Sequence, residues 1–133
     1  MGNSRSRAKG RRESGRFIAL PYSVLQHQSY ISLSPRAVKL LLDFCSFYNG
    51  KNNGDFTTAW TVIEKRGWKS RDQVFKAQQE LETKGFIIRT RQGGRNLCNL
   101  FAITFYAIDE CSGMLEVPAT NVAPGDWKKN WNQ

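Results

Sequence analysis

Arg71, Gln73, Lys76 and Gln79 fall within one short polar stretch opened by Ser70, and Arg89, Arg91 and Arg95 surround Gly93-Gly94 soon after it. Guanidinium, ammonium and carboxamide groups are the side chains that hydrogen-bond guanine and adenine edges, and they also bind phosphate oxygens. Lys69 and Ser70 stand just before the stretch, where the unpaired N–H groups of a helix N-terminus would add to the attraction for an anion. A third basic run, Arg5, Arg7, Lys9, Arg11, Arg12 and Arg16, opens the chain against a single acid, Glu13. The chemistry open to these groups is the binding of a polyanion, and nucleic acid is the commonest one in a cytoplasm.

The charge of the whole chain agrees in sign but says less than its placement. Twenty Lys and Arg against 11 Asp and Glu give +9 over 133 residues. The excess sits in Met1 to Arg16 and in Lys65 to Arg95, and the remainder is nearly neutral. Each basic group also has an ordinary explanation: a solvated tail, the polar face of a surface helix, or a charged hairpin edge that discourages aggregation.

Hydrophobic residues at 40% suffice for one buried core without disulfide or metal support. Cys45, Cys98 and Cys111 are odd in number, far apart and without a CxxC pair, so no disulfide framework or zinc site is expected. A reduced, cytoplasmic setting follows. No apolar run approaches the roughly 18 residues that span a bilayer, and the N-terminus lacks the apolar centre of a secretory signal, so no membrane partner is expected. The arginine-rich start has too few apolar residues for the amphipathic helix of a transit peptide.

The elements that must position the basic groups follow from spacing. Met1 to Gly15 has almost no apolar side chain to offset its ordering entropy, so residues 1–16 are expected to form a disordered basic arm. Pro21 begins a short helix ending near Gln28 or Ser29. Ser34 and Pro35 start an apolar helix that stops at Asn49-Gly50 and should be the central element. Phe56 enters a short strand, Thr57 or Thr58 caps a helix running to about Arg66, and Gly67 ends it with Trp68 in the turn. Ser70 then caps a helix whose inward stripe is Val74, Ala77, Gln78 and Leu81. Stepping about 100° per residue from Val74 sets Asp72, Lys76, Gln79 and Thr83 opposite, with Gln73 and Phe75 on the flanks.

Gly85 ends that helix, Phe86 to Arg91 forms a strand, Gln92 to Asn96 a tight turn, and Leu97 to Tyr106 an alternating return strand. Arg89 and Arg91, two apart, share a face, and Arg95 sits at the tip. The order predicts an α+β fold, a winged helix-turn-helix with a three-helix core and a C-terminal β-hairpin wing, over residues 17–111. Residues 112–133, rich in Gly and Pro, are expected to be a tail carrying Trp127 and Trp131.

Ser34-Pro35-Arg36-Ala37, Tyr48-Asn49-Gly50-Lys51-Asn52-Asn53-Gly54, Lys65-Arg66-Gly67-Trp68 and Glu80-Leu81-Glu82-Thr83-Lys84-Gly85-Phe86 carry a resemblance. From Phe17 to Tyr106 the chain resembles small winged-helix proteins of phages, plasmids and integrated mobile elements, and more distantly the N-terminal winged helix of plasmid replication initiators. That resemblance implies sequence-specific binding of duplex DNA through Arg71, Gln73, Lys76, Arg91 and Arg95, in transcriptional control or in replication and partition. It supports a fold more strongly than a biological role.

Two other functions stay open. One is a protein-interaction module that inhibits or recruits a nucleic-acid enzyme, using Phe75 and the Trp127/Trp131 segment as contacts. The other is RNA binding by the arginine-rich arm. A homodimer is open in each case. An enzyme is not expected: His27 lies in a short helix without a Ser, Cys and carboxylate constellation, no P-loop, HExxH or GxSxG occurs, and Asp109-Glu110 is an isolated pair. No cofactor is expected.

Overall fold

The Ser34 hydroxyl accepts a hydrogen bond from the Ala37 amide at 3.3 Å and Pro35 fills the first helical position, which fixes the start of the longest apolar helix. The computed structural model describes residues 13–129, and within them five α-helices and a two-stranded antiparallel sheet make an α+β arrangement. These are α1 (Tyr22–Gln26), α2 (Gln28–Ile31), α3 (Pro35–Phe47), α4 (Trp60–Ile63), α5 (Arg71–Thr83), β1 (Ile87–Arg91) and β2 (Leu100–Ile103). The arm positions Arg5, Arg7, Lys9, Arg11 and Arg12, and Trp131, lie outside the described residues.

The helical stretch after Pro21 runs to Ile31, further than the sequence suggests, because it is two helices. His27 breaks it with an extended backbone (ψ 146°) and restarts it by accepting the Ser29 amide on Nδ1 at 3.0 Å. The histidine is therefore a helix cap. Along α3, Ala37, Leu40, Leu41, Phe44 and Cys45 are buried, whereas Leu42 faces solvent, so the helix is less uniformly enclosed than its composition predicts. Phe44 anchors the core by stacking on Phe56 at 5.7 Å and on Phe101 at 6.1 Å.

Phe56 contributes a single bridge, exchanging both backbone hydrogen bonds with Phe101 at 3.2 and 2.8 Å. Neither Thr57 nor Thr58 caps the next helix. Thr57 holds the Ala59 amide at 3.0 Å, and Thr58 donates to the buried Gln78 carboxamide at 2.7 Å, so α4 starts only at Trp60 behind an uncapped Ala59. It continues as a 3₁₀ turn over Glu64–Arg66.

α3 packs along α5 and against β2. The α5 stripe is buried where its period sets it, at Val74, Ala77, Gln78 and Leu81. Glu80 on α5 reaches back to the start of α3, accepting the Ser34 amide at 2.7 Å and the Ser34 hydroxyl at 2.6 Å. A carboxylate thus sits where the N-terminal dipole of α3 favours negative charge.

β1 and β2 pair Ile87 with Ile103, Ile88 with Ala102 and Arg89 with Phe101, then slip so that Arg91 meets Leu100. The extra residue, Thr90, is buried and donates its hydroxyl to the Gly54 carbonyl at 2.6 Å. The return strand is shorter than its alternation suggests, and Leu100 to Ile103 are all buried, not every second one. The C-terminal segment is tied to the hairpin through its backbone. Glu116 donates its amide to the Thr90 carbonyl at 2.7 Å, and Gly125 to that of Thr104 at 2.9 Å.

The segment expected as a tail is packed through Trp127. The indole is 4% exposed, stacks on Phe86 with ring centroids 6.4 Å apart and meets His27 edge-on at 5.2 Å. Ser29 Oγ donates to the Trp127 carbonyl at 2.8 Å, closing the first helices onto the last described turn (Asp126–Lys128).

Candidate nucleic-acid interface

Between α4 and α5 the chain must reverse within a few residues, and Gly67 does so in the left-handed region at φ 94°. Trp68 follows, and its ring is in the core instead of exposed in the turn. Its indole N–H donates to Asp43 Oδ2 at 2.7 Å. Asp43 is itself buried on α3 and also accepts Arg66 Nε at 3.2 Å and Lys39 Nζ at 3.4 Å, while Lys39 Nζ donates to the Arg66 carbonyl at 2.8 Å. One carboxylate therefore ties α3 to the turn that aims α5. The sequence offered a signal: a lone acid among Leu40, Leu41 and Phe44, with Lys39 four residues before it.

Ser70 caps α5 as expected, accepting the Gln73 amide at 3.3 Å. Lys69, Arg71, Gln73, Lys76 and Gln79 are all exposed, but they do not act as one surface. Gln73 lies on the α3 side of the helix, where its carboxamide oxygen accepts Arg36 Nη1 at 2.8 Å. Arg71 lies on the other side with its guanidinium 5.2 Å from the Trp60 ring centre. Lys76 pairs with Asp72 at 3.1 Å, an exposed contact that water and salt weaken readily. Phe75, 53% exposed, stands between Arg71 and Gln79 on the same side as Arg71.

The hairpin arginines have different environments. Arg89 is only partly exposed: it ion-pairs with Glu82 of α5 at 3.1 Å, donates to Gln92 at 3.1 Å and lies over the Phe101 ring at 5.4 Å. It braces the hairpin on the helix. Arg91 donates twice to the Cys98 carbonyl, at 2.9 and 3.3 Å, and so clamps the two arms. Arg95 is exposed at the tip and has no partner among the described residues. The reversal itself falls at Arg95-Asn96, where Asn96 takes φ 59° and Gly94 and Leu97 exchange backbone hydrogen bonds at 2.9 and 3.1 Å. Gly93 is needed for approach instead of turning: a Cβ there would stand 2.5 Å from the Leu97 carbonyl oxygen and 2.6 Å from the Asn99 amide.

A concavity of about 340 Å³ separates helix from hairpin, lined by Trp60, Arg71, Phe75, Gln78, Arg89 and Asn99 among others. Arg16 of the arm is remote from it, donating to the Tyr48 carbonyl at 3.3 Å beside the stacked Tyr48 and Tyr106 rings. Two of the groups with displaced acidity, Cys45 and Tyr106, lie on that remote side. Burial pushes the Cys45 thiol up to about 11 and the Tyr106 phenol up to about 12, the latter helped by Cys45 and Tyr48. Among the described residues no group of three or more His, Cys, Asp or Glu gathers to hold a metal, and no helix is long and apolar enough to cross a membrane.

Arg71 and Phe75 of α5 line this concavity, with Lys69 exposed just before the helix, Lys76 and Gln79 exposed further round it, and Arg95 exposed at the hairpin tip. These side chains can present donors to phosphates and to base edges. No protein family, curated protein or solved structure matches the chain.

Proposed function

We propose that the chain is a winged-helix protein that binds duplex DNA, with α5 in the major groove and the Arg95 hairpin tip on the flanking backbone. The observation that carries this reading is the orientation of α5. Its apolar stripe is used in packing, and Lys76 and Gln79 on its outward side, Arg71 at its start and Lys69 just before it stand in solvent next to a basic hairpin. The single Phe56–Phe101 bridge supports the same fold, since it adds a short strand ahead of α4 to the hairpin. Transcriptional control, or replication and partition, in a mobile element rests on the sequence resemblance alone.

A protein-docking role through the tryptophan segment is less favoured, because the Trp127 ring lies in the core. The test is a fluorescence-anisotropy titration of the full chain against duplex DNA, single strands and structured RNA over a range of salt. Duplex should bind best, and log affinity should fall linearly with log salt by about 0.9 per phosphate neutralised. Arg71→Ala and Lys76→Ala should weaken duplex binding without moving the thermal transition, by about 1 to 3 kcal/mol where the side chain reads a base. Preference for RNA, lost on removal of residues 1–12, would replace this reading.

A further inference from the structure

Phe75 is the one large apolar side chain on the outward side of α5, and at 53% exposure it is neither core nor cap. Its backbone position is set by Val74 and Gln78 on the buried stripe, so the ring stays out of the core. No ring stacking of Phe75 with any other described aromatic is found, although Trp60 and Arg71 line the same concavity. Its neighbours one turn away are Arg71 and Gln79, and Lys76 follows it. A bare ring amid cationic and amide groups fits a surface that is polyanionic and yet offers one apolar spot.

The major groove has such a spot. Of the base-pair edges exposed there, only thymine carries a methyl group, at C5, and phenylalanine is among the side chains that contact it. Charge complementarity from Lys69, Arg71 and Lys76 argues for nucleic acid over an acidic-poor protein face. We infer that Phe75 is a specificity-determining residue that packs on a thymine C5-methyl, flanked by donors from Arg71 and Gln79 to the adjoining bases. The inference rests on the duplex-binding reading above and adds to it the identity of one base.

The probe is a duplex selected from a randomised pool by the full chain, compared with copies in which single thymines are replaced by deoxyuridine, which removes only the methyl. Wild type should lose about fourfold in affinity at one thymine per bound copy, the amount expected for one methyl group returned to water. Phe75→Ala should bind both duplexes alike, and Phe75→Leu, still apolar, should keep part of the difference. Because the ring is exposed, both variants should melt with wild type. Indifference of wild type to every deoxyuridine substitution, or undiminished discrimination by Phe75→Ala, overturns the inference while leaving duplex binding standing. Absence of any duplex binding overturns both. A wild-type dimer that becomes monomeric in Phe75→Ala on sedimentation would assign the ring to a contact between copies and overturn it too.

Discussion

Replacing Trp127 with alanine is the sharpest perturbation of the packing described here, because the residue lies in a segment whose composition suggests a loose end. An aromatic side chain of this kind buries about 150 to 250 Å², which at about 25 cal/mol per Å² corresponds to roughly 4 to 6 kcal/mol as an upper bound. Measured truncations of buried Phe and Trp to Ala cost about 3 to 5 kcal/mol, so a loss near 4 is expected. With a slope of about 1 to 3 kcal/mol per molar urea, the midpoint should fall by roughly 1.3 to 4 M. The assay is circular dichroism at the helix band across a urea series. Trp127→Phe separates packing from polarity. It keeps the face against Phe86 and removes an indole N–H that is buried without an acceptor among the described residues, so it should cost well under half as much. A Trp127→Ala midpoint within ~0.3 M of wild type would refute the reasoning, since it would mean that Phe86 and His27 need no cover.

Asp43→Ala should destabilise by about 1 to 3 kcal/mol by leaving the Trp68 indole N–H buried and unpaired, and adding Trp68→Phe should recover part of that loss in a double-mutant cycle. Gly93→Ala should force the hairpin arms apart through the close Leu97 carbonyl, seen as altered amide shifts from Gln92 to Asn99, with helix content unchanged. Cys98, exposed, should be alkylated by iodoacetamide at pH 8, while buried Cys45 resists until the domain unfolds. Since burial raises the Cys45 thiol from 9.0 to about 11, its contribution to stability should be intact below pH 9 and lost as pH rises through 11; urea midpoints at pH 8 and pH 11 check the sign.

What could be read from the sequence is what neighbours in the chain decide. Ser34 and Ser70 cap with their own hydroxyls three residues ahead, Gly67 and Gly85 end helices by local backbone geometry, and the α5 stripe follows from its period. Each depends on fewer than about four residues on either side. What escaped depends on partners far along the chain. Thr58 was lost as a cap to Gln78, Arg89 was lost as a free wing residue to Glu82, and the alternation of β2 gave way to four residues that are all buried. The bulge at Thr90 has no local signature, because the demand for it comes from the Gly54 carbonyl. For the candidate interface, the helix and hairpin were foreseeable, whereas the division of labour among their bases was not. Gln73 is occupied by Arg36, and Arg91 by the Cys98 carbonyl.

The hydrogen bond from Ser29 to Trp127 joins residues 98 apart in sequence, and that separation has a cost in time. At about 5 to 20 residues per second, a ribosome that has placed Ser29 needs roughly 5 to 20 seconds to add Trp127. During that interval α1 and α2 have emerged without the ring that covers Phe86, and the apolar face later shared by His27 and Phe86 stays wet. The nascent chain therefore reaches its last described turn before its first helices can settle. Crowding by a chaperone, or a stall late in translation, should act on this protein through that open face.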